Sequence, residues 1–153
     1  MPPLLHCASF HRFIFHCRPT TNLGACLHFV LHGIHHRYPT DAYRLVFPPI
    51  LGLPLAMASY LCARAALGVD AALCAVGGVS LGYLCYDLMH YLLHHYHPAA
   101  ESSAWPLRAF LHYQALHKCH HMQHRHTFGV SPLGALWDAP FGTLASLAPK
   151  PSS

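Results

Sequence analysis

"LVFPPILGLPLAMASYLCA", residues 45–63, is a run of 19 uncharged residues between Arg44 and Arg64. A helix that crosses a bilayer needs about 20 apolar residues, with a range of about 17–25. A second uncharged run, "AALCAVGGVSLGYLCY", fills the 16 positions between Asp70 and Asp87. It falls slightly short, but a helix can continue through His90 and His94. The two runs predict membrane spans over about 45–66 and about 71–90. The alternative is a pair of buried helices in a soluble protein; low charge and the length of the first run favour the hairpin. Pro48, Pro49 and Pro54 crowd the first span and predict a kink. Gly77, Gly78 and Gly82 in the second predict close helix packing.

The link "RAALGVD" holds only a turn, so residues 1–44 and 87–153 fall on one side of the membrane. That side carries Arg12, Arg18, Arg37, Arg44, Arg108, Lys118, Arg125 and Lys150, and the other carries Arg64. The side richer in Lys and Arg is expected to be cytosolic.

Composition fits this division. Of 153 residues, 54% are hydrophobic and 9% charged, against about a quarter charged in a soluble domain. The net charge of +4 comes with no long basic run, which argues against nucleic-acid binding. Cys7, Cys17, Cys26, Cys62, Cys74, Cys85 and Cys119 are scattered, odd in number and without a C-x-x-C pair. They read as reduced packing residues rather than disulfides or a zinc motif. "MPPLLHCASFHRF" lacks the apolar core and cleavage site of a signal peptide. The end, "SLAPKPSS", reads as a loose tail.

Histidine is the anomaly, with 17 copies. Ten fall into four groups. In "HRFIFH", His11 and His16 are five apart, about 140° on a straight helix, so they can share a site only at a helix end or from flanking turns. In "HFVLHGIHH", His32, His35 and His36 stand at i, i+3 and i+4 and face one side of a helix. In "DLMHYLLH", His90 and His94 have the i, i+4 spacing by which two imidazoles grip one metal ion. Asp87, three residues earlier, can accept the free ring N–H of a ligand. "HKCHH" supplies His117, His120 and His121 and repeats the H-x-x-H-H spacing. His28, His6, His95, His97, His112, His124 and His126 fall outside the pattern and read as supporting or packing residues.

Ten imidazoles exceed one coordination sphere, and two ions with about five ligands each fit the count. Imidazole suits iron, zinc, copper and nickel. Carboxylate-bridged di-iron sites need several Glu residues; this chain has one, Glu101. A histidine-rich di-metal centre beside a bilayer points to oxygen chemistry on a lipid. Unactivated C–H bonds resist acids, bases and nucleophiles, and breaking one takes a strong oxidant drawn from O₂ and two electrons. Such a site must exclude water.

The strings "FHRFIFH", "HFVLHGIHHRYPTDAYRLVFPP", "GYLCYDLMHYLLH", "HKCHH" and "FGVSPLGALWD" cover nearly all of residues 9–140. On them the chain resembles the fatty acid hydroxylase superfamily, and within it the fatty acid 2-hydroxylases. The resemblance implies an all-α integral membrane domain: a transmembrane hairpin with a cytosolic helical cap that holds a His-rich di-metal site. It implies a multi-pass enzyme of the endoplasmic-reticulum membrane that adds a hydroxyl at C2 of a long-chain fatty acid or acyl lipid, for ceramide and other sphingolipids. The metal ligands carry over onto His11, His16, His32, His35, His36, His90, His94, His117, His120 and His121. The ions implied are two irons, with zinc able to occupy the sites in purified protein, since zinc outcompetes Fe²⁺ at nitrogen.

Such enzymes usually carry a cytochrome b5 domain and two earlier spans. Neither is recognisable here, so residues 1–153 are expected to be a hydroxylase domain in fragment or short form. Electrons would then come from a separate cytochrome b5 and its NAD(P)H-dependent reductase. Asp41, Tyr43 and Arg44 are candidates to position the carboxyl end of the substrate, and Tyr86 and Tyr91 to line its cavity. The rival readings are a sterol oxidase or lipid desaturase on the same scaffold, an inactive truncated form, and a metal transporter. Transport would require ionisable residues within the spans, near the midplane.

Overall fold

The computed structural model describes residues 11–98, 104–123, 127–129 and 136–147. Among them it is all helical, with no strand. His6, Cys7, Glu101, His124, Arg125, His126 and Lys150 lie outside the described residues.

The chain enters through a π-helical turn, His11–Phe15. Helix α1, Asn22–His28, starts where the Thr21 hydroxyl accepts the Gly24 N–H, a standard N-terminal cap. It passes without a break through a π segment, Phe29–Gly33, into α2, Ile34–Arg37. Tyr38 leaves helical geometry, and Pro39 cannot continue a helix. A 3₁₀ turn, Ala42–Arg44, capped by the Asp41 carboxylate on the Tyr43 N–H, leads to the long helices.

Helices α3, Pro49–Leu67, and α4, Val69–His95, pack along one another. They meet at Gly68, whose φ of 84° suits glycine and little else, so the reversal takes a single residue. Pro49 sits in the first turn, where its missing N–H costs nothing, and Pro54 lies inside α3. Small residues are among those covered: Ala56 and Ala63 of α3 are half-buried, and Ala72 and Gly82 of α4 buried, while Gly52 lies against Phe47. Gly77 and Gly78 depart from the expectation. Both are exposed, with nothing within 4 Å of where a Cβ would be, because they face away from α3.

Both long helices are long and apolar enough to cross a membrane, and only 6% and 11% of their most apolar windows are buried within the protein. A core helix of a soluble domain would be mostly covered. Cys17, Cys26, Cys62, Cys74 and Cys85 are free and exposed. They are unbridged, but they are not the packing residues expected, because the faces that carry them are not covered by protein.

Helix α5, Trp105–Gln123, packs on the end of α4. Gln114, buried on α5, donates to the Leu93 and Tyr96 carbonyls, both at 2.9 Å. It thereby satisfies carbonyls that the end of α4 leaves open. The chain is tied down at Thr143 and Ala145, while residues 148–153 of the end "SLAPKPSS" lie outside the described residues. Thr127 donates its N–H to the Thr143 carbonyl at 2.6 Å, and the Ala145 N–H returns to the Thr127 hydroxyl at 2.9 Å.

The interior is unusual in kind. Among the described residues its buried hydrophobic side chains are Leu45, Ala72, Leu93, Leu116 and Phe128, while His11, His32, His35, His90, His117 and His120 are all 6% exposed or less. Burying polar rings is costly unless each finds a partner, so the cap is organised around imidazole rather than around hydrocarbon.

Candidate metal centre

The ten imidazoles singled out from sequence gather into two groups of five. One is His11, His16, His32, His36 and His120; the other is His35, His90, His94, His117 and His121. Within each group the candidate ligand nitrogens all lie within 4.8 Å of one another. His28, His95, His97 and His112 belong to neither.

The backbone explains the partition. In a π turn the chain closes on residue i+5, so His11 and His16 come together, with ring centroids 4.9 Å apart. A straight helix would have separated them. In each H-x-x-H-H motif the outer pair, at i and i+4, shares a group: His32 with His36, and His117 with His121. The histidine at i+3 crosses to the other group, His35 to the second and His120 to the first. Each motif therefore stitches the two groups together. His90 and His94, at i and i+4 on α4, both serve the second.

Nε2-to-Nε2 separations run from 2.8 to 3.2 Å. In the first group His32 meets His11, His16 and His36; in the second, His90, His94 and His117 form a triangle, and His121 meets His94 and His117. Hydrogen bonds cannot account for such a triangle, because each ring nitrogen carries at most one proton. A shared cation can. With metal–nitrogen bonds of about 2.0–2.1 Å, ligands at right angles lie about 2.8–3.0 Å apart, and tetrahedral ones about 3.3–3.4 Å. The observed spacing falls in the range expected of nitrogens that would share one cation.

Protonation states agree. Burial pulls His11 down to about 4, although its bond to the Phe128 carbonyl pushes the other way. His35 falls to about 3, through burial and then the neighbouring imidazoles. Burial and adjacent rings also lower His32, His36 and His117. The rings are therefore neutral near pH 7, as a metal ligand must be. His11 Nδ1 lies 2.6 Å from the Phe128 carbonyl. A carbonyl only accepts, so Nδ1 carries the proton and Nε2 presents its lone pair to the group.

Beside the rings lies a cavity of about 260 Å³, walled by His11, His32, His35 and His90 on one side and by Phe15, Leu31, Phe47 and Tyr83 among its apolar lining. Tyr43, Arg44, Tyr86 and Asp87 also line it. Asp41 does not; it bonds Arg44 Nε at 2.7 Å and the Tyr43 N–H at 3.1 Å. Tyr91 turns away and packs on His95, with centroids 4.5 Å apart. Asp87 makes no hydrogen bond to a ligand ring among the described residues and faces the cavity instead.

Residues 7–143 match the fatty acid hydroxylase family. The chain belongs to that family. A dihydroceramide fatty acyl 2-hydroxylase of Arabidopsis thaliana is 36% identical over 143 residues, covering 91% of this chain and 55% of the relative. The human fatty acid 2-hydroxylase is 38% identical over 142 residues, 91% of this chain and 36% of the relative. A solved structure of full-length Scs7p, with only the hydroxylase domain visible, superposes with a TM-score of 0.77 at 34% identity, over 98% of this chain and 55% of that one. The chain thus spans about half the length, or less, of the relatives it matches.

Some residues that shape this site carry no motif. Arg12 and Asp138 form a buried ion pair at 3.3 Å next to His11, and Gln114 fixes the end of α4. A polar residue inside an apolar stretch was the available signal for Gln114. For Asp138 it was the acid that ends "FGVSPLGALWD".

Proposed function

We propose that this chain hydroxylates C2 of a long-chain fatty acyl substrate, using two iron ions held by the two groups of five histidines. The observation that carries the proposal is the convergence of ten imidazoles into two groups of five beside a mostly apolar cavity, whose wall includes His11, His32, His35 and His90. The names of the relatives, fatty acid 2-hydroxylases and ceramide very long chain fatty acid hydroxylases, favour hydroxylation over desaturation or sterol oxidation. The ionisable residues of α4 cluster at its ends, Asp70 at one and Asp87, His90, His94 and His95 at the other, a poor arrangement for a transport path.

A bound iron pair would supply the oxidising chemistry, with O₂, two electrons and two protons giving one hydroxyl and one water. The protein's own part is positional. His11, His16, His32, His36 and His120 hold one ion and His35, His90, His94, His117 and His121 the other. All offer imidazole nitrogen and no thiolate, and zinc can occupy the same sites. Phe15, Leu31, Leu45 and Phe47 present hydrocarbon to an acyl chain and exclude water, which would waste the oxidant. Arg44, with Tyr43 beside it, supplies the positive charge for the polar end of the substrate, and Asp41 holds Arg44 in place. Tyr86 and Asp87 border the reacting carbon.

The two long helices form a hairpin in the endoplasmic-reticulum membrane with the histidines on the cytosolic side, a reading supported by the excess of arginine on that side. Substrate enters from the bilayer, and a separate cytochrome b5 with its reductase delivers electrons.

The test is lipid analysis of cells supplied with ¹⁸O₂ and expressing the chain, alone and with a longer N-terminal extension. The expected result is ¹⁸O in newly formed 2-hydroxy acyl chains. No rise in 2-hydroxy acyl chains in either case would remove the proposal.

A further inference from the structure

The acceptor for the His11 ring lies on a stretch that no helix or strand supports. Thr127–Gly129 is irregular yet buried throughout. Thr127 holds φ at 54°, a left-handed conformation that a β-branched residue adopts only when its surroundings impose it. Something other than local preference must therefore fix the Phe128 carbonyl, 2.6 Å from His11 Nδ1.

The bonds around it close a circuit. The Gly129 N–H donates to Asp138 Oδ2 at 3.0 Å. The other carboxylate oxygen of Asp138 accepts from Arg12 Nη1 at 3.3 Å and from the Thr143 hydroxyl at 2.8 Å. Arg12 also donates to Thr143 Oγ1 at 2.6 Å. Its guanidinium lies 4.1 Å from the centre of the Phe141 ring and 4.8 Å from that of Phe128. Arg12 follows His11 directly in the chain. The path runs from the His11 ring to Phe128, Gly129, Asp138, Arg12 and back to the His11 backbone. Both ends of His11 are thus tied to one carboxylate.

We infer that Asp138 and Arg12 are positioning residues for His11: they hold the Phe128 carbonyl where it fixes the proton on Nδ1 and aims Nε2 into the first group. The inference rests on the proposal that each group holds an ion. Ligating imidazoles depend on such partners for orientation and tautomer. Asp138 is 1% exposed and Arg12 half-buried, and a carboxylate this deep is held in place by the donors that satisfy it. Among the described residues this circuit reaches one ligand, His11, which belongs to the first group, so the effect falls on one ion.

The experiment measures release of both ions from the full chain, in detergent, after addition of excess chelator. Asp138→Asn leaves either Gly129 or Arg12 without its acceptor. Thr143→Val keeps the ion pair but removes the hydroxyl that braces it. The wild-type chain should hold two ions. In Asp138→Asn one of them should leave about 10- to 100-fold faster while the other keeps its wild-type rate, and Thr143→Val should give a smaller change of the same one-sided kind. A role in general stability would speed both ions equally, and that result, or unchanged release of both, overturns the inference. Should Asp138→Asn fail to fold, Thr143→Val is judged by the same criterion. A wild-type chain that holds no ion overturns the two-ion reading and the inference with it, which separates the two failures.

Discussion

The rings of His36 and His121 lie 4.4 Å apart, centroid to centroid, with their planes 34° apart, although they belong to different groups of five. The two groups therefore share a wall. If the proposed reaction draws on ions in both groups, emptying either group should abolish it.

Substitution of a central ligand in either group tests this coupling. His32→Ala removes the nitrogen that His11, His16 and His36 all approach, and His117→Ala removes the one shared by His90, His94 and His121. Each should lower the metal content from two ions to one. Each should reduce hydroxylation by at least about 100-fold, more than the loss of an outer partner costs. Elemental analysis beside product analysis reads both.

The metal-free chain should lose stability in mild acid. Unfolded, His11 and His35 take up a proton near 6.5; folded, they do so only near about 4 and about 3. Between those limits the unfolded chain binds more protons, so stability rises with pH across the window from about 3 to 6.5 and levels off above it. Thermal melting of the metal-free protein in detergent from pH 3 to 8 should trace that rise. A flat or falling profile would contradict the buried, neutral rings.

Much of the site was legible because metal binding constrains spacing. His32 with His36, His90 with His94, and His117 with His121 stand at i, i+4, and the geometry that brings such pairs together is local. The partition was not legible. That His35 and His120 cross to the opposite group depends on how α2 and α5 face each other, a tertiary relation. The spacing of His11 and His16 limits them to a shared site at a helix end or from flanking turns, without saying which; the π turn that unites them has no sequence signal of its own. The two apolar helices were evident from length and charge, but which glycines would pack was not. Gly82 is covered and Gly77 and Gly78 are open, and that depends on the rotation of α4 against α3. Asp87 read as a ligand's partner from its spacing, yet faces the cavity.

Gln114 should prove structural in its consequence. Gln114→Leu fits the space but strips the donors from the Leu93 and Tyr96 carbonyls. An unsatisfied buried carbonyl costs about 1–3 kcal/mol. The variant should melt earlier and hold the second ion, bound partly by His90 and His94 on the same helix end, less tightly. Melting and metal retention equal to wild type would show that α4 needs no such tie.

Arg44 should affect substrate binding far more than folding. Its pair with Asp41 is exposed on both sides, 42% and 38%, and surface pairs contribute about 0–1 kcal/mol. Arg44→Gln should leave the melting temperature nearly unchanged while raising KM several-fold with kcat largely kept. A fall in kcat at constant KM would move Arg44 from holding the substrate to shaping the chemistry.

The most direct measurement is X-ray absorption at the metal edge, combined with elemental analysis, on the full chain purified with iron. Two ions per chain, each with about five nitrogen neighbours and no sulfur, is the predicted result. A single ion, or shells in which sulfur replaces the imidazoles, would contradict it.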